Sequence, residues 1–185
     1  RLSIPNDDTT EDPYDFYIQG TGTDAEILIK GNSINIADED TTGTPGENAT
    51  DTGDDTDFGS IDIDDSTGIT KTFTIYSNGS TDLNLNGTPT VSLTGDDKGD
   101  FELTNPDTTV TPGNTTSFDV TFTPDTTGTK WARLSIPNND PGKNPYDFYI
   151  QGRGTALLTV TGLTTSNKPY DGDTTATITG TATLH

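Results

Sequence analysis

The sequence predicts an all-β chain, an antiparallel β-sandwich repeated in tandem modules. Three observations lead there. Apolar residues alternate with polar ones along short runs, Gly, Pro, Asn and Asp punctuate those runs at close spacing, and one long phrase of the sequence is used twice.

The phrase comes first. RLSIPNDDTTEDPYDFYIQGTGT at residues 1–23 returns as RLSIPNNDPGKNPYDFYIQGRGT at residues 133–155, with 17 identities in 23 positions at an offset of 132 residues. That period is too long for a solenoid repeat, but it suits an independently cored domain of about 100–150 residues. Residues 1–23 therefore read as the last two strands of a preceding module, and residues 24–155 as a complete module. After Thr155 the register breaks, because ALLTVTGLTTSNKPYDGDTTATITG does not resemble the DAEILIKGNSINIADED that follows Thr23. Residues 156–185 read as the start of a different, incomplete β module.

Within the complete module, candidate strands follow one another closely: EILIKG from Glu26, SINIA from Ser33, FGSIDI from Phe58, DLNLN from Asp82, TVSL from Thr90 and FELT from Phe101. In KTFTIYS, Phe73 and Ile75 share one face while Thr72, Thr74 and Tyr76 share the other; SFDVTFTP repeats the pattern with Phe118, Val120 and Phe122. Near the end, WARLSIP points Ala132, Leu134 and Ile136 inward, PYDFYIQG points Tyr146, Phe148 and Ile150 inward, and NNDPGKN between them has the residues that close a hairpin. Eight to ten short strands without helical periodicity predict two packed antiparallel sheets in an immunoglobulin-like arrangement.

Composition narrows the setting. Hydrophobic residues are 26% and charged residues 21%, with 20 Gly and 11 Pro, a balance that on its own leans toward disorder. The 40 threonines offset it, since Thr suits a half-solvated strand face. With no Cys and no Met, neither disulfides nor thiolate metal sites can hold the chain. A net charge of −21 repels nucleic acid and anionic membranes, and no apolar run approaches the ~18 residues of a membrane span.

Catalytic constellations are scarce. The only His is the last residue, His185, and Cys is absent, so Ser-His-Asp and Cys-His arrangements are excluded from this sequence, and no Gly-rich phosphate loop is present. The chain reads as a non-enzyme. The acids, 25 Asp against 5 Glu, suggest a different chemistry. Asp38, Asp40, Asp51, Asp54, Asp55 and Asp57 crowd the segment between SINIA and FGSIDI, and short carboxylates in a flexible loop can supply the six to eight oxygens that Ca²⁺ requires. These six are the candidate metal ligands and calcium the candidate cofactor; the plainer reading is a row of turn residues on a solvated surface. Smaller acidic turns occur at Asn138, Asn139 and Asp140, mirrored by Asn6, Asp7 and Asp8, and at Asp171 and Asp173. Trp131, Tyr149 and Tyr17 fall on the outward phase of their strands, where they either cover a sheet face or stack on a ligand.

The stretch Asp57–Thr155, with DFGSIDI, TKTFTIYSNGSTDLNLNGTPTVSLTG, DFELT, FDVTFTPDTTGT and PYDFYIQGRGT, resembles the choice-of-anchor D modules of bacterial surface proteins, which are similar to Hydin-type immunoglobulin-like domains. The tail from Leu158 resembles the YDG repeat, named for its Tyr170-Asp171-Gly172 triplet. These resemblances imply a large bacterial exoprotein, extracellular or at the cell surface, and bring no catalytic residue. The expected role is a spacer or stalk module, with neighbouring modules of the same chain as partners. The alternatives are an adhesin module that grips cell-surface glycans or protein, and a filament subunit joined to other copies of itself by strand donation.

Overall fold

The computed structural model describes residues 1–20, 24–38, 50–158, 160–165, 169, 172 and 178–184. Along the chain the strands are β1 (Leu2–Ile4), β2 (Tyr14–Phe16), β3 (Ile27–Gly31), β4 (Ile34–Ile36), β5 (Asp57–Asp62), β6 (Ile69–Ser77), β7 (Leu83–Asn84), β8 (Ser92–Thr94), β9 (Phe101–Leu103), β10 (Thr109–Val110), β11 (Thr115–Phe122), β12 (Gly128–Ile136), β13 (Tyr146–Thr155), β14 (Val160–Thr161), β15 (Thr164–Thr165), β16 (Ile178–Thr179) and β17 (Thr183–Leu184). The one helical element described is a single 3₁₀ turn at Lys98–Asp100.

Residues 27–155 hold two main sheets, one ordered β4-β3-β6-β11-β9 and the other β5-β13-β12-β8, and a short two-stranded pair of β7 with β10. The long antiparallel pairs β6–β11 and β12–β13 form their centres, with Phe73 opposite Phe118 in the first and Leu134 opposite Phe148 in the second. The predicted alternation holds there: Phe73, Ile75, Phe118, Val120, Phe122, Ala132, Leu134, Ile136, Tyr146, Phe148 and Ile150 are all buried. Together with Ile27, Ile29, Leu83 and Val110 they form one contiguous apolar cluster that runs from Ala25 to Ile150. Two aromatic groups anchor it. Phe73 stacks on Phe118 at 5.5 Å and meets Phe148 at 5.6 Å, while Phe58, Phe101 and Phe122 gather at 4.9–6.0 Å. The chain is an all-β, immunoglobulin-like sandwich.

One pairing departs from the purely antiparallel expectation. β5 lies parallel to β13, with a register shift between Gln151 and Arg153. The chain leaves the first sheet after β4 and enters the second at β5, and such a crossing connection fixes no strand direction, unlike a tight hairpin. Two short elements, β10 and the 3₁₀ turn, lie where no alternation signals them.

The ends of the chain are paired locally. β1 and β2 form a separate two-stranded ribbon, as do β14 with β17 and β15 with β16.

Candidate interaction surface

The acidic segment divides into two places. Asp51, Asp54, Asp55 and Asp57 share one turn leading into β5. There Asp51 Oδ1 accepts from the Gly53 amide at 2.7 Å, Asp54 Oδ1 from the Thr56 amide at 3.1 Å and hydroxyl at 2.6 Å, and Asp57 Oδ1 from the Gly59 amide at 2.8 Å. Asp57 Oδ2 also accepts from Gln151 Nε2 at 2.9 Å, and Asp55, at φ +67°, pairs with Lys71 Nζ at 2.7 Å. The turn sits tightly on β3, because a Cβ at Gly31 would overlap the Asp54 carbonyl and Asn32 Nδ2 donates to the Gly53 carbonyl at 2.9 Å. Asp38 lies elsewhere, against β13, where its Oδ1 accepts from the Asp147 amide at 3.0 Å. Asp40 falls outside the described residues. Among the described residues no three His, Cys, Asp or Glu side chains converge in a way that could hold a metal ion.

A short-range signal accounts for much of this chemistry. An Asp or Asn whose side chain caps the amide two residues on makes an Asx turn, and the chain does so at Asp8, Asp51, Asp54, Asp57, Asp62, Asp65 and Asp140. The hydroxyl and amide of Thr10 hold the Asp8 carboxyl below its ordinary pKa, and those of Thr67 do the same for Asp65. A second acidic group lines an open depression beside the 3₁₀ turn. There Lys130 Nζ lies 3.3 Å from Asp97 and 3.4 Å from Asp100; burial opposes its charge, but the two carboxylates outweigh burial and raise the lysine pKa.

On the outer face of the second sheet, Trp131 and Tyr149 meet edge to face at 5.7 Å, both half-buried. Tyr17, the counterpart of Tyr149, is 83% exposed.

The β12–β13 hairpin is bound to the module at its loop as well as its face. Asp140 Oδ2 accepts from the Ile27 amide at 3.0 Å, Asn139 Oδ1 from the Asn84 amide at 2.8 Å, and Lys143 Nζ reaches the Ile27 carbonyl at 3.1 Å and Glu26 at 3.4 Å. The Tyr146 hydroxyl donates to the Ile36 carbonyl at 2.5 Å, and burial pushes its pKa up to about 12.

The β1–β2 hairpin repeats this design with its inner face uncovered. Leu2, Ile4, Tyr14 and Phe16 are 46%, 47%, 54% and 36% exposed, against 0%, 0%, 2% and 0% for Leu134, Ile136, Tyr146 and Phe148. The repeat places these strands as the close of a preceding module, present without the rest of it, and their inner face is exposed.

The family described as HYDIN/CFA65/VesB-like, Ig-like domain matches residues 51–153. The chain belongs to this family. Among solved structures, this HYDIN/CFA65/VesB-like chain is similar to the VesB protease of Vibrio cholerae, at 12% identity and TM-score 0.39, over 54% of this chain and 29% of that one. It is also similar to the secreted serine protease VesC of Vibrio cholerae, at 17% identity and TM-score 0.38, over 57% of this chain and 22% of that one. A third likeness is to the ASH/PapD-like domain 7 of human CEP192, at 13% identity and TM-score 0.41, over 78% of this chain and 96% of that one. The chain thus spans less than a third of the length of either protease. A search of curated protein sequences finds no match. Among the described residues no helix is long and apolar enough to cross a membrane.

Proposed function

We propose that this chain is a non-enzymatic spacer or stalk module of an extracellular, surface-attached or secreted repeat protein, akin to bacterial choice-of-anchor D modules and followed by a YDG-like module. The observation that carries the reading is the double hairpin. The pairings Leu2↔Phe16 and Ile4↔Tyr14 recur as Leu134↔Phe148 and Ile136↔Tyr146, so the chain twice builds the same closing element of a sandwich, 132 residues apart. Units repeated in line give reach by number and stiffness by their own cores. A sequence whose one His is residue 185, and which has no Cys, supports the non-enzymatic part.

Pulling on the 185-residue chain by its ends tests the mechanical role. A spacer gives one dominant unfolding event that releases about 130 residues, or roughly 45 nm of contour at ~3.5 Å per residue. Release in many small steps at negligible force would remove the role.

A second reading, an adhesin module, is favoured by one observation, the half-buried Trp131–Tyr149 pair on the outer sheet face, since such rings stack on sugars. A glycan array separates the two. Saturable binding abolished by Trp131→Ala supports the adhesin, and silence supports the spacer.

Bracing of residues 38–57 by calcium remains part of the proposal on charge density alone, with Asp38, Asp40, Asp51, Asp54, Asp55 and Asp57 as its ligands. Melting with EDTA, then with Ca²⁺ or Mg²⁺ restored, tests it. A shift of several degrees that Ca²⁺ alone reverses supports bracing, and an unchanged melt removes it.

A further inference from the structure

The exposed inner face of the β1–β2 hairpin has a specific complement. We propose that it is a docking face for the open body of a sandwich of the same kind, one that lies ahead of Arg1 in the chain and lacks closing strands of its own. The proposal rests on the tandem arrangement put forward above, but neither the spacer nor the adhesin role enters it.

The second hairpin shows what the first must meet, because all inward residues are shared. Leu2, Ile4, Tyr14, Phe16 and Ile18 match Leu134, Ile136, Tyr146, Phe148 and Ile150 at the offset of 132. In the second copy these pack against the sheet carrying Phe73, Ile75 and Phe118. The match extends to backbone and glycine. Gly152 lies so close to Phe122 that a Cβ there would overlap the ring, whereas its counterpart Gly20 has nothing within 4 Å. A glycine at residue 20 leaves room for an aromatic ring from the body that docks there. Asp8, the counterpart of Asp140, already caps Thr10 through Oδ1, as Asp140 caps Gly142; in Asp140 the other oxygen takes the Ile27 amide. The hairpin is likewise preformed: Asn6 bridges Asp8 and Glu11 as Asn138 bridges Asp140 and Lys143, and Arg1 pairs with Asp15 as Arg133 does with Asp147. A loop whose turn is set by its own side chains lowers the entropy cost of ordering the strands on the docked body.

Charge selects which body docks. The six differences between the copies are at residues 7, 9, 10, 11, 12 and 21, none of them inward, and one reverses a contact. Lys143 reaches Glu26 at 3.4 Å; its counterpart is Glu11, which would face that same carboxylate on a second copy of this chain. The complement of the first hairpin is therefore a body with a basic or neutral side chain where this module has Glu26, which disfavours swapping between identical chains and favours a preceding module of related sequence.

The test lengthens the chain rather than cutting it. Residues 24–132 are placed directly ahead of Arg1, so that residues 1–23 follow them as residues 133–155 follow Ala132 in the native chain. Glu26 of the added copy is left as it is or replaced, E26K, and cleavage by chymotrypsin at Tyr14, Phe16 and Tyr17 is followed. The proposal expects rapid cleavage in the 185-residue chain, slowing of at least about a hundredfold in the lengthened chain, and further slowing with E26K. Equally rapid cleavage in every chain while residues 24–155 stay intact would overturn it. A parallel chain carries residues 139–144 in place of residues 7–12, which makes the added unit nearly identical to the native module. Protection only in that chain overturns the docking of the native hairpin, and protection in neither overturns the tandem complement altogether. Concentration-dependent dimers of the 185-residue chain in which Tyr14 becomes protected would assign the face to a second copy instead.

Discussion

The two hairpins of this chain share their turn, their register and their inward residues, yet differ in almost every long-range property. Both place Asn at the start of the loop, where its side chain binds the amide two residues on at 2.7 Å, and both carry an Arg–Asp pair across the strands. Phe148 is nevertheless fully buried against Phe73, while Phe16 is 36% exposed and meets only Tyr14 among the described ring contacts. Local sequence therefore suffices to shape the hairpin. Its stability depends on a second sheet, because a lone two-stranded ribbon is marginal in water.

This contrast is sharpened first by paired truncations. Phe148→Ala should destabilise the module by about 3–5 kcal/mol in urea unfolding, through lost burial and a residual cavity, whereas Phe16→Ala in the same chain should change it by less than ~0.5 kcal/mol. Comparable losses at both positions would show that the first hairpin is already packed.

A smaller effect is expected at the loops. Asp140→Ala strands the buried Ile27 amide and should cost about 1–3 kcal/mol, while Asp8→Ala, at an exposed turn, should leave the unfolding midpoint within experimental scatter.

Alkaline pH acts on the second hairpin through Tyr146. Because burial holds Tyr146 up at about 12 against an ordinary 10.0, the unfolded chain loses this proton first as pH rises. The associated stability is complete below pH 10 and falls away between 10 and about 12. Lys130, also raised by its acidic neighbours, loses its ion pairs in the same direction. Tyr146→Phe should flatten the tyrosine share of the fall. An identical profile for Tyr146→Phe would refute the assignment.

The smallest effect concerns the outer face. Tyr149→Ala removes an edge-to-face contact with Trp131 and should cost about 0.5–1.5 kcal/mol, whereas Tyr17→Ala should cost nothing measurable.

The sandwich was legible where burial imposes a period of two. KTFTIYS, SFDVTFTP and WARLSIP each present alternate residues to one cluster, and the structure buries those very residues. β10 and the 3₁₀ turn at Lys98–Asp100 were not legible, since two or three residues carry no period. Nor was the parallel run of β5 beside β13, because the loop that joins the sheets encodes no direction. The acidic segment was legible only as a density of charge. What distributes Asp51, Asp54 and Asp57 is their capping of the residue two places on, a spacing visible as D-T-G, D-D-T and D-F-G. The open face of the first hairpin was legible from the repeat and not from its own residues, since closing strands without the rest of their module have nothing within residues 1–23 to cover them.

Site-resolved hydrogen exchange on the 185-residue chain tests the central claim most directly, that one hairpin closes a cored sandwich while its twin stands open. The account predicts that the amides of Leu134, Ile136 and Phe148 exchange only with global unfolding of the module, and that those of Leu2, Ile4 and Phe16 exchange at least about a thousandfold faster. Equal protection of the two sets would contradict it.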